Sequence, residues 1–222
     1  MAERPLGIFG GSFDPVHFGH LRLAQEAATA FGLERVLWLP AGQPPHRRDT
    51  VATARQRLDM VRLAIAGNPL FELDASEVLA DAPSYTVTTL ERLRLSLGGQ
   101  RPLVLLLGAD AYAGLSSWQR WRDLFSLAHL GLATRGAEDL DAGLLPAPLA
   151  AETLTRRCVD DAPGGCAAAL AEQAAGRIAC FALTRLDISA THIRAALAAH
   201  ASPRYLLPNP VLDYIERHKL YR

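Results

Sequence analysis

The sequence predicts an α/β fold with a doubly wound, mostly parallel sheet. Three observations carry that expectation. Short apolar runs recur at Leu6 to Phe9, at 35–40 (RVLWLP), 70–74 (LFELD), 102–108 (PLVLLLG) and 177–183 (RIACFAL). Between the first four lie segments whose apolar residues repeat at helical spacing, and that alternation builds parallel sheets covered by helices on both faces. The run at 102–108 is apolar without interruption, as a strand buried on both faces requires.

In order, the first strand ends at Gly10 and Gly11. Leu21, Ala24, Ala28 and Phe31 then mark a helix from about His20 to Phe31. Strand 35–40 is closed by Pro40, and AGQPPHRRDT (41–50) is a loop by its prolines. Ala54, Leu58, Val61 and Ile65 mark a second helix. Val87, Leu90, Leu93 and Leu97 mark a third, beyond strand 70–74. Residues 136–176 are rich in Ala, Leu, Gly and Pro and hold no aromatics, which reads as a variable helical insertion. A C-terminal helical part spans 188–222, with a capped helix at 188–200 and another opening at Asn209-Pro210. The whole of 1–222 reads as one domain.

Charge and composition exclude several functions. The 23 Lys+Arg balance 23 Asp+Glu, so net charge is zero, which argues against a nucleic-acid partner while leaving room for a local cationic pocket. No stretch could span a bilayer and no signal peptide precedes the glycines, so no membrane is expected and the location is cytoplasmic. Cys158, Cys166 and Cys180 lack zinc or dithiol spacing, in keeping with a reducing compartment. Nothing here sets an oligomeric state, and a homo-oligomer is admitted.

The chemistry concentrates in GIFGGSFDPVHFGH (7–20). Its glycines do not form G-x-G-x-x-G, and no G-K-[ST] follows. Without a Cβ, Gly10 and Gly11 let a ligand approach the backbone, where N–H groups can meet anionic oxygens, and Ser12 adds a hydroxyl. His17 and His20 flank Gly19 at the next helix start, within reach of any anion that helix's unsatisfied N–H groups attract. A plain tight turn, or a zinc pair lacking a third ligand, would use the same residues. ISATHIR (188–194) offers a second anion site: Ser189 or Thr191 can cap a helix, and Arg194 supplies a permanent cation suited to bidentate phosphate contacts.

GSFDPVHFGH resembles the (T/S)FDPxHxGH signature of the adenylyltransferases in the nucleotidyltransferase superfamily, whose HxGH box is related to the HIGH box of class I aminoacyl-tRNA synthetases. ISATHIR is similar to that superfamily's ISxTxxR element. The resemblance implies a Rossmann-like nucleotidyltransferase fold and ATP as substrate. It implies that His17, His20 and Arg194 are catalytic, and that Gly10, Gly11, Ser12, Phe13, Gly108, Asp110, Ser189 and Thr191 bind ATP, with Asp110 on the ribose hydroxyls.

Three further stretches, PPHRR (44–48), PSYT (83–86) and WQRW (118–121), would each suit a charged turn, a helix cap and core anchors. Together they resemble the bacterial nicotinate-mononucleotide adenylyltransferases, as does the closing LLPNPVLDYIERHKLYR. That likeness runs in order along nearly the whole chain and is weakest over 136–176. It implies transfer of an adenylyl group from ATP to nicotinate mononucleotide, with His46, Arg47, Ser84, Tyr85, Thr86 and Trp118 on the mononucleotide. The helix start near Tyr85 and Thr86 suits a ring carboxylate, and an aromatic such as Tyr85 or Trp118 suits a pyridinium. Mg²⁺ would arrive with ATP, and no resident metal site is expected. The alternatives are a nicotinamide-mononucleotide or phosphopantetheine adenylyltransferase, or a nucleotide sensor without catalysis.

Overall fold

A computed structural model describes residues 3–44, 50–80, 82–134, 141–158 and 165–222. Its six described strands are β1 (Leu6–Gly11), β2 (Arg35–Pro40), β3 (Phe71–Leu73), β4 (Leu103–Gly108), β5 (His129–Thr134) and β6 (Ile178–Ala182). They form one sheet in the order β3-β2-β1-β4-β5-β6, every pair parallel. The chain starts in the middle, winds outward through β2 and β3, then returns to β4 on the other flank of β1. That reversal leaves a crevice beyond the C-terminal ends of β1 and β4, where open α/β sheets bind ligands.

Alternation along the strands sets two cores. On β4, Val104 and Leu106 face the layer of α1 (Phe18–Ala30), α2 (Ala54–Ile65), α9 (Ala190–Ala198) and α10 (Asn209–Arg217). Leu103, Leu105 and Leu107 face α4 (Thr86–Leu97), α6 (Leu124–Leu127) and Leu149 of α7 (Ala147–Arg156). Each of these leucines is at least 95% buried, and full burial of such a side chain contributes roughly 1.5–3 kcal/mol. The shorter α3 (Ser76–Leu79) and α5 (Ala109–Ala113) stand at the crevice, while α8 (Gly165–Glu172) precedes β6. No helix among the described residues is long and apolar enough to cross a membrane.

The sequence reading located five strands and overlooked β5. Gly131 lies at its centre, and a glycine inside an apolar run reads as a break. Here it is a packing necessity: a Cβ at Gly131 would stand 2.8 Å from Phe31 Cε2 and 2.9 Å from Val104 Cγ1. His129, at the start of β5, is fully buried and structural. Its Nδ1 accepts from the Arg177 N–H at 3.0 Å, so the ring proton sits on Nε2, 2.8 Å from the Gln173 carbonyl. Burial holds this ring neutral.

Candidate active site

Beyond the β1 and β4 ends opens a cavity of about 890 Å³. Gly10 and Gly108 lie in its floor, and both positions face space. The nearest atom to a Cβ at Gly10 would be the Leu39 carbonyl at 4.0 Å, and nothing lies within 4 Å at Gly108. Packing therefore does not demand glycine at either place. Gly11 is different, because a Cβ there would sit 2.9 Å from the Phe13 ring. Gly11 lets Phe13 fold under the loop, buried to 99% with a φ of 48°, its ring edge-on to His20 at 5.1 Å. Phe13 thus supports a histidine from below.

The helix α1 starts at Phe18, two residues earlier than its apolar spacing suggests, because His17 takes the cap position. The His17 N–H donates to His20 Nδ1 at 3.2 Å, and the two rings stack with centroids 3.7 Å apart. His17 is 94% buried, and its Nδ1 finds no hydrogen-bond partner among the described residues. Burial lowers its pKa to about 4. Both rings line the cavity beside the first turn of α1, so the site offers two imidazoles, that of His17 held neutral by burial, at a helix start where an anion would sit.

The second phosphate motif reaches the same place. Ser189 caps α9 by accepting from the His192 N–H at 3.1 Å, which selects it over Thr191. Arg194, one turn on, donates from Nη1 to the Asp14 carbonyl at 2.7 Å and from Nη2 to Thr191 Oγ1 at 3.4 Å. Ile188 lines the cavity, and its carbonyl would lie 3.7 Å from a Cβ at Gly19. Segments 180 residues apart thereby meet on one pocket. Arg194, Ser189 and Thr191 do not line the cavity themselves, and Ser189 and Thr191 are exposed beside it.

Asp14 anchors this junction from within. Its buried carboxylate accepts from the Val51 N–H at 2.8 Å, the Ala52 N–H at 3.2 Å and the Tyr221 hydroxyl at 2.6 Å. Arg57, 99% buried, donates to the carbonyls of Ser12 at 2.7 Å, Gly42 at 3.1 Å and Ala52 at 3.3 Å. Burial lowers the Arg57 pKa, against the favourable charge of Asp14.

Tyr85, Thr86, Ser84 and Trp118 form the opposite wall, with Asp110 in the first turn of α5. Tyr85 is the cap position of α4 and makes no side-chain cap bond, so neither Ser84 nor Thr86 supplies the cap expected of them. The Ser84 hydroxyl instead accepts from the N–H groups of Gly42 at 2.9 Å and Gln43 at 3.3 Å, latching the loop after β2. His46 and Arg47 lie outside the described residues. The sequence reading missed Glu77, Arg185 and Asp187, which also line the cavity. Glu77 accepts from Thr89 Oγ1 at 2.6 Å, and burial pushes its carboxyl pKa up. Arg185 and Asp187 directly precede ISATHIR, and that adjacency was the available signal.

Comparison with known proteins adds an independent finding. Residues 8–196 match the cytidylyltransferase-like family. A Dechloromonas aromatica protein named "probable nicotinate-nucleotide adenylyltransferase" is 57% identical over 220 residues, covering 99% of each chain. A Laribacter hongkongensis protein of the same name is 46% identical, over 98% of this chain and 94% of its own. Among solved structures, Plasmodium falciparum nicotinic acid mononucleotide adenylyltransferase complexed with NaAD matches with a TM-score of 0.72 at 15% identity, covering 99% of this chain and 98% of that one. At that identity the likeness is one of fold.

Proposed function

The chain belongs to the cytidylyltransferase-like family, among the nicotinate-nucleotide adenylyltransferases, and from that premise we propose that it transfers the adenylyl group of ATP to nicotinate mononucleotide. The products are nicotinate adenine dinucleotide and pyrophosphate, and the role is in NAD biosynthesis in the cytoplasm. The observation that carries this reading is the 2.7 Å hydrogen bond from Arg194 to the Asp14 carbonyl, which joins two phosphate-suited motifs beside one cavity. The volume, about 890 Å³, suits two nucleotides side by side, being near the upper end for ligand pockets.

In this reading the ATP base and ribose lie over Gly10 and Gly108, with the Asp110 carboxylate accepting from ribose hydroxyls. The triphosphate meets His17, His20 and the α1 N-terminus, flanked by Gly11, Ser12 and the α9 start at Ser189 and Thr191. The mononucleotide ring lies near Tyr85, Thr86 and Trp118, where the α4 N–H groups would favour its carboxylate by about 0.3–1 kcal/mol. His46 and Arg47 are assigned to its phosphate on charge alone, and Ser84 holds the wall in place.

An ionised 5′-phosphate oxygen of the mononucleotide attacks the ATP α-phosphorus. The new P–O bond forms as the bond to the β-phosphate bridging oxygen breaks, and pyrophosphate leaves with the electron pair. The nucleophile carries no proton to remove, so catalysis is positioning and charge stabilisation. His17 and His20 donate N–H hydrogen bonds to the departing oxygens, and Arg194 adds a full charge. Among the described residues no cluster of three His, Cys, Asp or Glu could hold a metal. A Mg²⁺ ion would be held chiefly by phosphate oxygens and water, with the lining carboxylates Asp110, Asp187 and Glu77 available to its shell. When bound it offsets charge on the pyrophosphate.

Incubation with Mg-ATP and nicotinate mononucleotide should release pyrophosphate and the dinucleotide. Nicotinamide mononucleotide should react more slowly, because its amide forgoes the charge that the α4 start favours. Turnover with phosphopantetheine alone, or binding of ATP with no turnover of any acceptor, overturns the assignment.

A further inference from the structure

Resting on that reading, we propose that Tyr221 is a positioning residue of the catalytic loop, acting through Asp14 on Arg194 and His17. Tyr221 lies 207 residues from Asp14 in sequence, yet its hydroxyl donates to Asp14 Oδ1 at 2.6 Å in a buried setting. The ring, 6% exposed, belongs to the same core as Phe13 and Val16, the residues on either side of the Asp14-Pro15 pair.

The geometry of Asp14 explains why one hydroxyl matters. Its side chain is held by three donors, from Val51, Ala52 and Tyr221, while its own carbonyl receives Arg194. The residue works as a bracket, with its carboxylate fixed on one side and its main chain carrying the guanidinium on the other. His17 follows three residues later, and its N–H is committed to His20. Rotation of Asp14 would therefore displace the Arg194 acceptor and the start of the histidine turn together. The Val51 and Ala52 donors are main-chain groups from the approach to α2, so they fix the carboxylate from one direction. Tyr221 is the only side-chain hydroxyl among the described donors to it, and it arrives from beyond α10.

The phenol is suited to a constant hold. Burial raises its pKa, and the hydrogen bond to Asp14 and the Asp14 charge raise it further, outweighing Arg194 and Arg57. It therefore donates throughout the physiological range, and a short bond from O–H to carboxylate is among the stronger kinds. Tyr221 is buried and does not line the cavity, so among the described residues its hydroxyl is linked to the site through Asp14.

The test is Tyr221→Phe in the full chain, assayed with Mg-ATP and nicotinate mononucleotide. The expected result is a fall in kcat of about tenfold or more, since misplacement by a fraction of an ångström is costly in such reactions. Both KM values should stay within about threefold, the pattern of an interaction expressed in the transition state. In an Arg194→Ala background the same substitution should lower kcat by a clearly smaller factor than in the unsubstituted protein, because the Arg194 share of the effect is already lost and only the histidine turn is left to hold. An unchanged kcat in the single variant, or an undiminished loss in the Arg194→Ala background, overturns the proposal. Absence of turnover in the unsubstituted protein would instead strike the parent reading. Should Tyr221→Phe not fold, Asp14→Asn weakens the same bond, since a neutral amide oxygen is a poorer acceptor for the phenol than a carboxylate. It should then show the same split between kcat and KM, and a normal kcat there counts against the bracket.

Discussion

The rings of His17 and His20 stack at 3.7 Å between centroids, tilted by 27°. Two imidazolium ions at that separation would repel strongly, and burial already holds His17 neutral, with a pKa near 4. An anion arriving at the pair reverses the balance, because nearby negative charge favours the protonated ring. ATP binding should therefore be accompanied by proton uptake, and affinity should rise as pH falls from about 7. ATP itself titrates in this range, so the informative quantity is the difference between the protein and its His17→Asn variant. Calorimetry in two buffers of unlike ionisation enthalpy measures it. Identical proton uptake in the two proteins would remove His17 from the anion site.

Stability should follow the same histidine in the absence of ligand. The folded pKa lies below the unfolded one, so below about pH 6.5 the unfolded chain binds a proton that the native protein refuses. Stability is complete above that value and declines as pH falls towards about 4, by at most about 1.4 kcal/mol per pH unit from His17. His129, also held neutral by burial, adds in the same direction. Urea midpoints at a series of pH values test this. A His17→Asn variant should show a shallower acid slope, and an equal slope would contradict it.

His20→Ala should separate chemistry from folding. The ring lines the cavity and packs over Phe13, and loss of one preorganised donor at developing charge typically lowers kcat 10²–10³-fold. The melting temperature should change by only a few degrees. Steady-state kinetics with circular dichroism would reveal the opposite pattern, normal turnover with a lowered melting point, if the residue were structural.

Two glycines should respond oppositely to alanine. Gly131→Ala places a methyl 2.8 Å from Phe31 in a closed core, a strain of the kind that costs about 1–3 kcal/mol. Gly108→Ala meets nothing within 4 Å, so stability should hold while the KM for ATP rises by about tenfold as the methyl enters the floor. Denaturant melts and ATP kinetics on the pair decide the matter. A Gly108→Ala enzyme with unchanged KM would show that the nucleotide lies elsewhere.

The fold was largely legible because β4 reads as an uninterrupted apolar strand and α1, α2 and α4 carry clear 3.6-residue spacing. β5 was not, since the crowding that requires Gly131 comes from Phe31 and Val104, distant in sequence. Within the site, the residues close in sequence to a motif were found: His17, His20, Gly10, Gly108 and Asp110 all line the cavity. Those that brace it were not. Arg57 appears in sequence as one more arginine on an amphipathic helix, and only the fold reveals its three carbonyl partners. Ser84 was read by its proximity to a helix start, whereas its hydroxyl is spoken for by the loop after β2.

The long reach of the contacts at Asp14 bears on synthesis. Its carbonyl partner, Arg194, is translated 180 residues later, and its phenolic partner later still. While the polypeptide is emerging from the ribosome, the glycine loop is made long before its braces, so its final geometry waits for Arg194 and Tyr221.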